Sequence, residues 1–353
     1  MVLDMTTCHE FAKTAARWDR FWRGEHPEPL IGSVLPREGV AQVAKPSTYA
    51  LGPELDPAAF ADQAVRWAET HEFLGASIPF VYLEFAADQF STFLGMDLTF
   101  ISADQGGWPI HLYEDCPLAD IHIEFRPSGK WWDLIAGLAA AIQQRGGDRI
   151  MIASPTLVAN LDCLVALRGA QTVLMDLIDS PDEVKRILGE ITDAHGQILA
   201  AFSDLLEYPK RGSINRHGMY STRPINVAQC DFSCMISPAM FDEFVFPCLR
   251  DEFARFGGGE YHLDGADSIR HLESLCSLED LHLIQWVAGA GDTKGDWSDL
   301  YRKIDRLGKG QIRSGSRQQL DQWARELTAG RLFWSGLHGD RDTVEQALAD
   351  FDC

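Results

Sequence analysis

Apolar residues recur at helical spacing in the opening stretch CHEFAKTAARWDRFWRGEHPEP, at Phe11, Ala15, Trp18, Phe21 and Trp22, and the pattern stops at a proline-rich turn. A short apolar strand follows, LIGSVLPRE (30–38), ending in Pro36, Arg37 and Glu38. The spacing predicts a helix over PAAFADQAVRWAETHEFL (57–74) and a strand over IPFVYLEF (78–85). Residues 96–126 are irregular and rich in Asp, Gly and Pro, the composition of an excursion over a surface or a site.

Beyond residue 130 the chain alternates helix with strand. Strands are predicted at RIMIAS (149–154), GSINRH (212–217), EYHLD (260–264), HLIQWV (282–287), GQIRSG (310–315) and RLFWSG (331–336). Two of the intervening helices begin with Ser-Pro, a capping residue followed by proline in the first turn. With the two earlier strands this gives eight β units alternating with helices, which predicts an α/β protein folded as a single (β/α)8 TIM-type barrel over residues 1–353. Residues 1–28 form an N-terminal helical extension in this reading, and 96–126 an insertion covering the barrel mouth. A doubly wound open sheet is the alternative, but no GxGxxG follows the first strand.

Composition narrows the function classes. A net charge of −21 with no basic stripe argues against nucleic acid as a partner. The opening MVLDMTTCHE lacks a basic segment leading into an apolar one, and the longest apolar stretch, LIAGLAAAI (134–142), is about half a membrane span. A cytoplasmic location with no membrane partner is therefore expected. The eight cysteines show no zinc-ribbon or CxxC spacing and read mostly as buried thiols; Cys230 and Cys234 form the one close pair.

In a parallel barrel the chemistry sits at the C-terminal ends of the strands. Those ends carry Arg37, Glu84, Ser154, His217, Asp231, His262, Asp264, Gln285, Trp286, Arg313 and His338. Each has a structural explanation: a lone histidine is often only hydrogen-bonded, Asp231 could fix the turn before Ser237, and Arg37 could pair with a surface carboxylate. His262 and Asp264 stand out, because residues two apart on a strand share a face and both are good metal ligands.

The segments ISPAMFDEFVFP (236–247), YHLDGADSI (261–269) and SGLHGDRDTVEQAL (335–348) resemble the uroporphyrinogen decarboxylase superfamily, and the chain is most similar to its corrinoid-associated, methyltransferase-like members. The resemblance spans about residues 18 to 350 and implies the same barrel. The superfamily's zinc methyltransferases carry His-x-Cys-Gly at the end of the fifth strand and Gly-Cys-Gly after the eighth. Here those places read His262-Leu263-Asp264-Gly265 and Leu337-His338-Gly339, so both thiolates are replaced. The resemblance then implies a metal set of His262, Asp264 and His338, suited to zinc or to iron(II). Of the decarboxylase's arginine-rich loop only Arg37 has a counterpart, which disfavours a porphyrinogen substrate.

Three functions follow. The first is methyl transfer between a small molecule and a corrinoid or thiol acceptor, the corrinoid carried on a partner protein, with His217 and Asp231 as acid/base candidates and Arg37 anchoring a carboxylate. The second is a metal-free decarboxylase or lyase acting on a small carboxylic acid. The third is a non-catalytic corrinoid- or tetrapyrrole-binding protein.

Overall fold

The computed structural model describes residues 11–100, 106–289, 295–329 and 331–351. Its strands, in chain order, are β1 Leu30–Pro36, β2 His71–Gly75, β3 Phe80–Tyr82, β4 Asp97–Phe100, β5 Gly107–Ile110, β6 Met151–Ala153, β7 Ser213–Ile214, β8 Tyr220–Ser221, β9 Ala228–Gln229, β10 Gly259–Asp264, β11 Leu281–Val287, β12 Gly310–Ser316 and β13 Leu332–His338. Among the described residues ten helices of eight residues or more accompany them: α1 Phe11–Trp22, α2 Pro57–Thr70, α3 Lys130–Gly146, α4 Leu161–Arg168, α5 Ala170–Asp179, α6 Pro181–Leu205, α7 Phe246–Phe253, α8 Ser298–Arg306, α9 Arg317–Glu326 and α10 Arg341–Asp350. None of the described helices is long and apolar enough to cross a membrane.

A seven-stranded sheet runs in the order β2-β1-β13-β12-β11-β10-β9 and is parallel throughout except for the β1–β2 pair. β3 and β6 form a separate parallel pair, and β7 lies beside β6. The arrangement is consistent with a TIM-type fold. Among the described residues, however, no backbone ladder joins β1 to β3 or β7 to β9, so hydrogen bonds do not close the sheet into a ring.

The predicted helix over 57–74 ends at Thr70. There the Thr70 hydroxyl (3.1 Å) and the His71 ring nitrogen Nδ1 (2.9 Å) both take the carbonyl of Trp67, capturing an acceptor the last turn leaves free. Residues 71–75 then turn back as β2, antiparallel to β1. β9, two residues long, was not expected either.

Alternation along the central strands divides the core. Leu283, Ile312 and Phe333 point inward and meet Leu30, Met151 and Ile214. Ile284 and Trp334, one residue on, belong to the clusters under the surrounding helices. The inner cluster is completed by α1, whose Trp18, Phe21 and Trp22 seal one end of it. Trp18 Nε1 donates to the Ala76 carbonyl (3.0 Å), and Trp22 Nε1 to that of Tyr220 (2.8 Å).

The run from Pro238 to Phe253 contains Pro247. A π turn over Phe241–Val245 widens the helix just where proline offers no N–H and its ring crowds the preceding turn. Within the 96–126 segment, β4 and β5 form an antiparallel pair, and Arg168 and Arg186 bind the carbonyls of Tyr113, Cys116, Leu118 and Ile121.

Candidate active site

β10 supplies the centre of the site. Tyr261 and Leu263 are buried under the helices, so Glu260, His262 and Asp264 share the opposite, inner face. His262 stands opposite Gln285 of β11 in the parallel register, and its Nδ1 bonds the Gln285 side-chain oxygen. With that oxygen accepting, Nδ1 carries the proton and the Nε2 lone pair is free for a ligand.

Asp231 arrives from the end of β9. The Asp162 carboxylate, in the first turn of α4, accepts from the backbone N–H of Asp231 (2.7 Å) and of Phe232 (2.9 Å). Asp162 therefore fixes the turn, and the Asp231 side chain is left to the site, where Gln229 Nε2 donates to its Oδ2 (3.0 Å). Asp231, His262 and Asp264 each present a ligand atom, all within 4.8 Å of one another; among the described residues no other group of three meets this condition.

The electrostatics suit a cation. Burial, then the charges of Asp162 and Asp264, push the Asp231 carboxyl up to about 8. Burial raises Asp264 as well, and its Oδ1 is buried without a hydrogen-bond partner. His262 is pulled down to about 4, mainly by burial and then by the Arg216 guanidinium, so its imidazole is neutral at physiological pH. One neutral imidazole and two crowded carboxylates, one with an orphaned oxygen, form a donor set that fits zinc or iron(II).

Two of the three residues expected to bind metal are thus together, with Asp231 beside them. His338 ends β13 opposite Ser316, is exposed, and lies outside the group. Arg37 is on the outer β1–β2 edge, 3.8 Å from Glu72, which Arg341 also binds (2.8 Å). The structure does not bring Arg37 to the cluster.

His217 is within the electrostatic reach of His262. Its Nδ1 bonds Glu260, a carboxylate with no exposed surface, whose other oxygen accepts from Asn215 Nδ2 (2.6 Å). The Asn215 oxygen in turn accepts from the backbone of His217 and of Met219, both at 3.1 Å. This chain fixes the ring and directs Nε2 away from Glu260, the arrangement of an oriented acid/base histidine. Arg216 is largely buried among Tyr82, Glu84, Glu260 and Asp231, with Nη1 on the Thr156 hydroxyl (3.3 Å) and Nε unpartnered.

Glu260, Arg216 and Asp162 escaped sequence reasoning. Glu260 was legible, because Glu-x-His-x-Asp on one strand puts all three side chains on one face. Arg216 lies in the turn between β7 and β8, where no period applies. A cavity of about 410 Å³ between residues 92–97 and 124–131 shares no residue with the cluster and, among the described residues, holds no comparable set of ligands.

No protein-family profile and no curated protein sequence matches this chain. Among solved structures it is similar to a methyltransferase from Methanosarcina mazei, with a TM-score of 0.58 over 96% of this chain and 98% of that one. Identity is 12%, so what the two chains share is the fold.

Proposed function

We propose that the chain is a metal-dependent methyltransferase, moving a methyl group between a small molecule and a corrinoid or thiol acceptor. The observation that carries the reading is the Asp231, His262 and Asp264 cluster at the C-terminal ends of adjacent parallel strands. In this reading Asp231 takes the third ligand place that the sequence resemblance gave to His338. Corrinoid chemistry enters only through that resemblance, and the fold shared with a methyltransferase is compatible with it.

A divalent ion held there would supply Lewis acidity, lowering the pKa of an acceptor or polarising a leaving group. The chain's own groups do the rest. Gln285 holds the His262 ring, and burial, with the Arg216 guanidinium second, keeps it neutral. His217 accepts the acceptor's proton at Nε2, while Glu260 stabilises the resulting imidazolium through Nδ1.

The test is metal content in protein purified without chelator, followed by loss of methyl from methylcobalamin in the presence of a thiol. His262→Ala and Asp231→Ala should lose the metal with the fold retained, Asp264→Cys should retain it and shift it toward zinc, and His338→Ala should leave it unchanged. Unaltered metal content in His262→Ala refutes the ligand assignment. Metal-free wild-type protein that releases carbon dioxide from a small acid would establish the decarboxylase instead.

A further inference from the structure

A second feature lies at the same end of the sheet, on its helix-facing side. The ladder between β11 and β12 stops where Gln285 faces Ile312, and the β12–β13 register shifts between Arg313 and Ser314. A cavity of about 200 Å³ occupies the gap, bordered by Gln285, Trp286, Tyr301, Arg313, Ser314 and Ser335. Gln285 also contacts His262, so this cavity shares a wall with the metal cluster.

The lining is rich in donors. Ile312 points into the inner core, and Arg313, its neighbour on the strand, turns toward the helices. Its guanidinium carbon lies 3.5 Å from the ring centre of Tyr301 and 4.8 Å from that of Trp323. Desolvation pulls its pKa down, and the group that counters this is the Tyr301 phenol, not a carboxylate. Among the described residues no acidic side chain pairs with it, in a chain of net charge −21. Arg313 Nε and Trp286 Nε1 are buried donors without acceptors. The Gln285 oxygen is already taken by His262, and the Ser335 hydroxyl donates to the Arg313 carbonyl (3.3 Å). Buried donors left unmatched are costly and call for an acceptor-rich occupant.

We propose that this cavity binds a small carboxylate, held by Arg313 and Trp286. The aromatic rings hold the guanidinium plane in place, and the carboxylate supplies the missing counter-charge. The ligand is therefore a small carboxylic acid in its ionised form. The cavity shares none of the cluster's three ligands, so it can be tested separately from it.

The test is calorimetric titration of the protein as purified with sodium acetate and sodium propionate at constant ionic strength, with sodium chloride and sodium phosphate as comparisons. Acetate and propionate should bind and raise the melting temperature above that in chloride. Arg313→Gln should weaken their binding roughly tenfold or more, the scale of a charge-assisted hydrogen bond. Trp286→Phe, which keeps the ring and removes the N–H, should weaken it about threefold. Metal content should be unchanged in both variants, which separates failure of this site from failure of the cluster. No binding of acetate or propionate beyond that of chloride, or equal affinity in wild type and Trp286→Phe, overturns the proposal. Binding of phosphate without acetate overturns the carboxylate assignment.

Discussion

Replacing Glu260 with glutamine should invert the tautomer of His217. The Asn215 oxygen is committed to two backbone N–H groups at 3.1 Å, so its amide nitrogen has to face residue 260. The introduced side chain must meet that donor with its carbonyl oxygen, which points its own NH2 at His217 Nδ1. Two donors cannot face each other, so the proton leaves Nδ1 for Nε2. Stability should change by only about 1 kcal/mol, because a charge-assisted hydrogen bond weakens while a buried charge disappears. Activity should fall by roughly 10²–10⁴, the usual contribution of a positioned general base, because Nε2 no longer has a lone pair to offer. Glu260→Leu is the contrasting case: Asn215 and His217 both lose their acceptor, at about 1–3 kcal/mol each. Long-range ¹H–¹⁵N correlation spectra report the tautomer directly, and denaturant titration reports the stability. A His217 that keeps its proton on Nδ1 in the Glu260→Gln protein refutes the reasoning, whatever the activity.

Three further outcomes follow from burial and backbone geometry. Arg168 and Asp176 pair at 2.5 Å with side chains only 8% and 13% exposed, so Arg168→Met strands a carboxylate and two carbonyls. It should cost about 3–5 kcal/mol in urea titration, partly recovered by adding Asp176→Leu; a loss below about 1 kcal/mol contradicts this. His195, fully buried near the rings of Phe90 and Phe256 with neither nitrogen bonded, is pulled down to about 3 by burial. Its folded pKa lies below the unfolded one, so acid favours the unfolded chain and stability falls as pH drops from about 6.5 toward 3. His195→Phe should remove up to about 2 kcal/mol of the loss between pH 7.5 and 5, and an unchanged pH profile refutes it. Gly75→Ala should destabilise by about 2–4 kcal/mol, because φ is +62° and the added Cβ would sit 2.2 Å from the Ile31 carbonyl oxygen; a melting temperature near wild type would show that the turn relaxes.

The long strands were legible because their alternation is unbroken: 260–264, 282–287, 310–315 and 331–336 reappear within two residues as β10 to β13. Of the strand expected over 212–217 only Ser213–Ile214 forms, as β7, because the Asn215 side chain ties the following turn, and the two-residue β9 carries too little pattern to locate. The helix over 57–74 overran because His71 to Leu74 continue a tolerable helical spacing, and only pairing with β1 makes them a strand. In the site, strand period correctly put His262 and Asp264 on one face, and the same period would have added Glu260. His338 came from motif likeness, and its side chain lies beyond the register shift at Arg313 that alters facing downstream. Asp231 was weighed as a turn-fixing residue. That task belongs to Asp162, sixty-nine positions earlier, which no local pattern can reveal.

The seal made by α1 has a kinetic side. Trp22 reaches a carbonyl 198 positions away, and Arg331 returns to the carbonyls of Phe21 and Trp22 across 310 and 309 positions. The 11–22 segment therefore cannot settle until Arg331, 309 positions beyond Trp22, has emerged. Until then Trp18, Phe21 and Trp22 are an unpartnered aromatic surface on a growing chain, the kind of surface that chaperones hold and aggregates recruit. Contacts of such separation also place the closure of the loop late and make it slow. Fusions that hinder residues 11–22, or truncations that remove Arg331 and β13, should therefore lower the yield of folded protein well before they alter the chemistry at the opposite end.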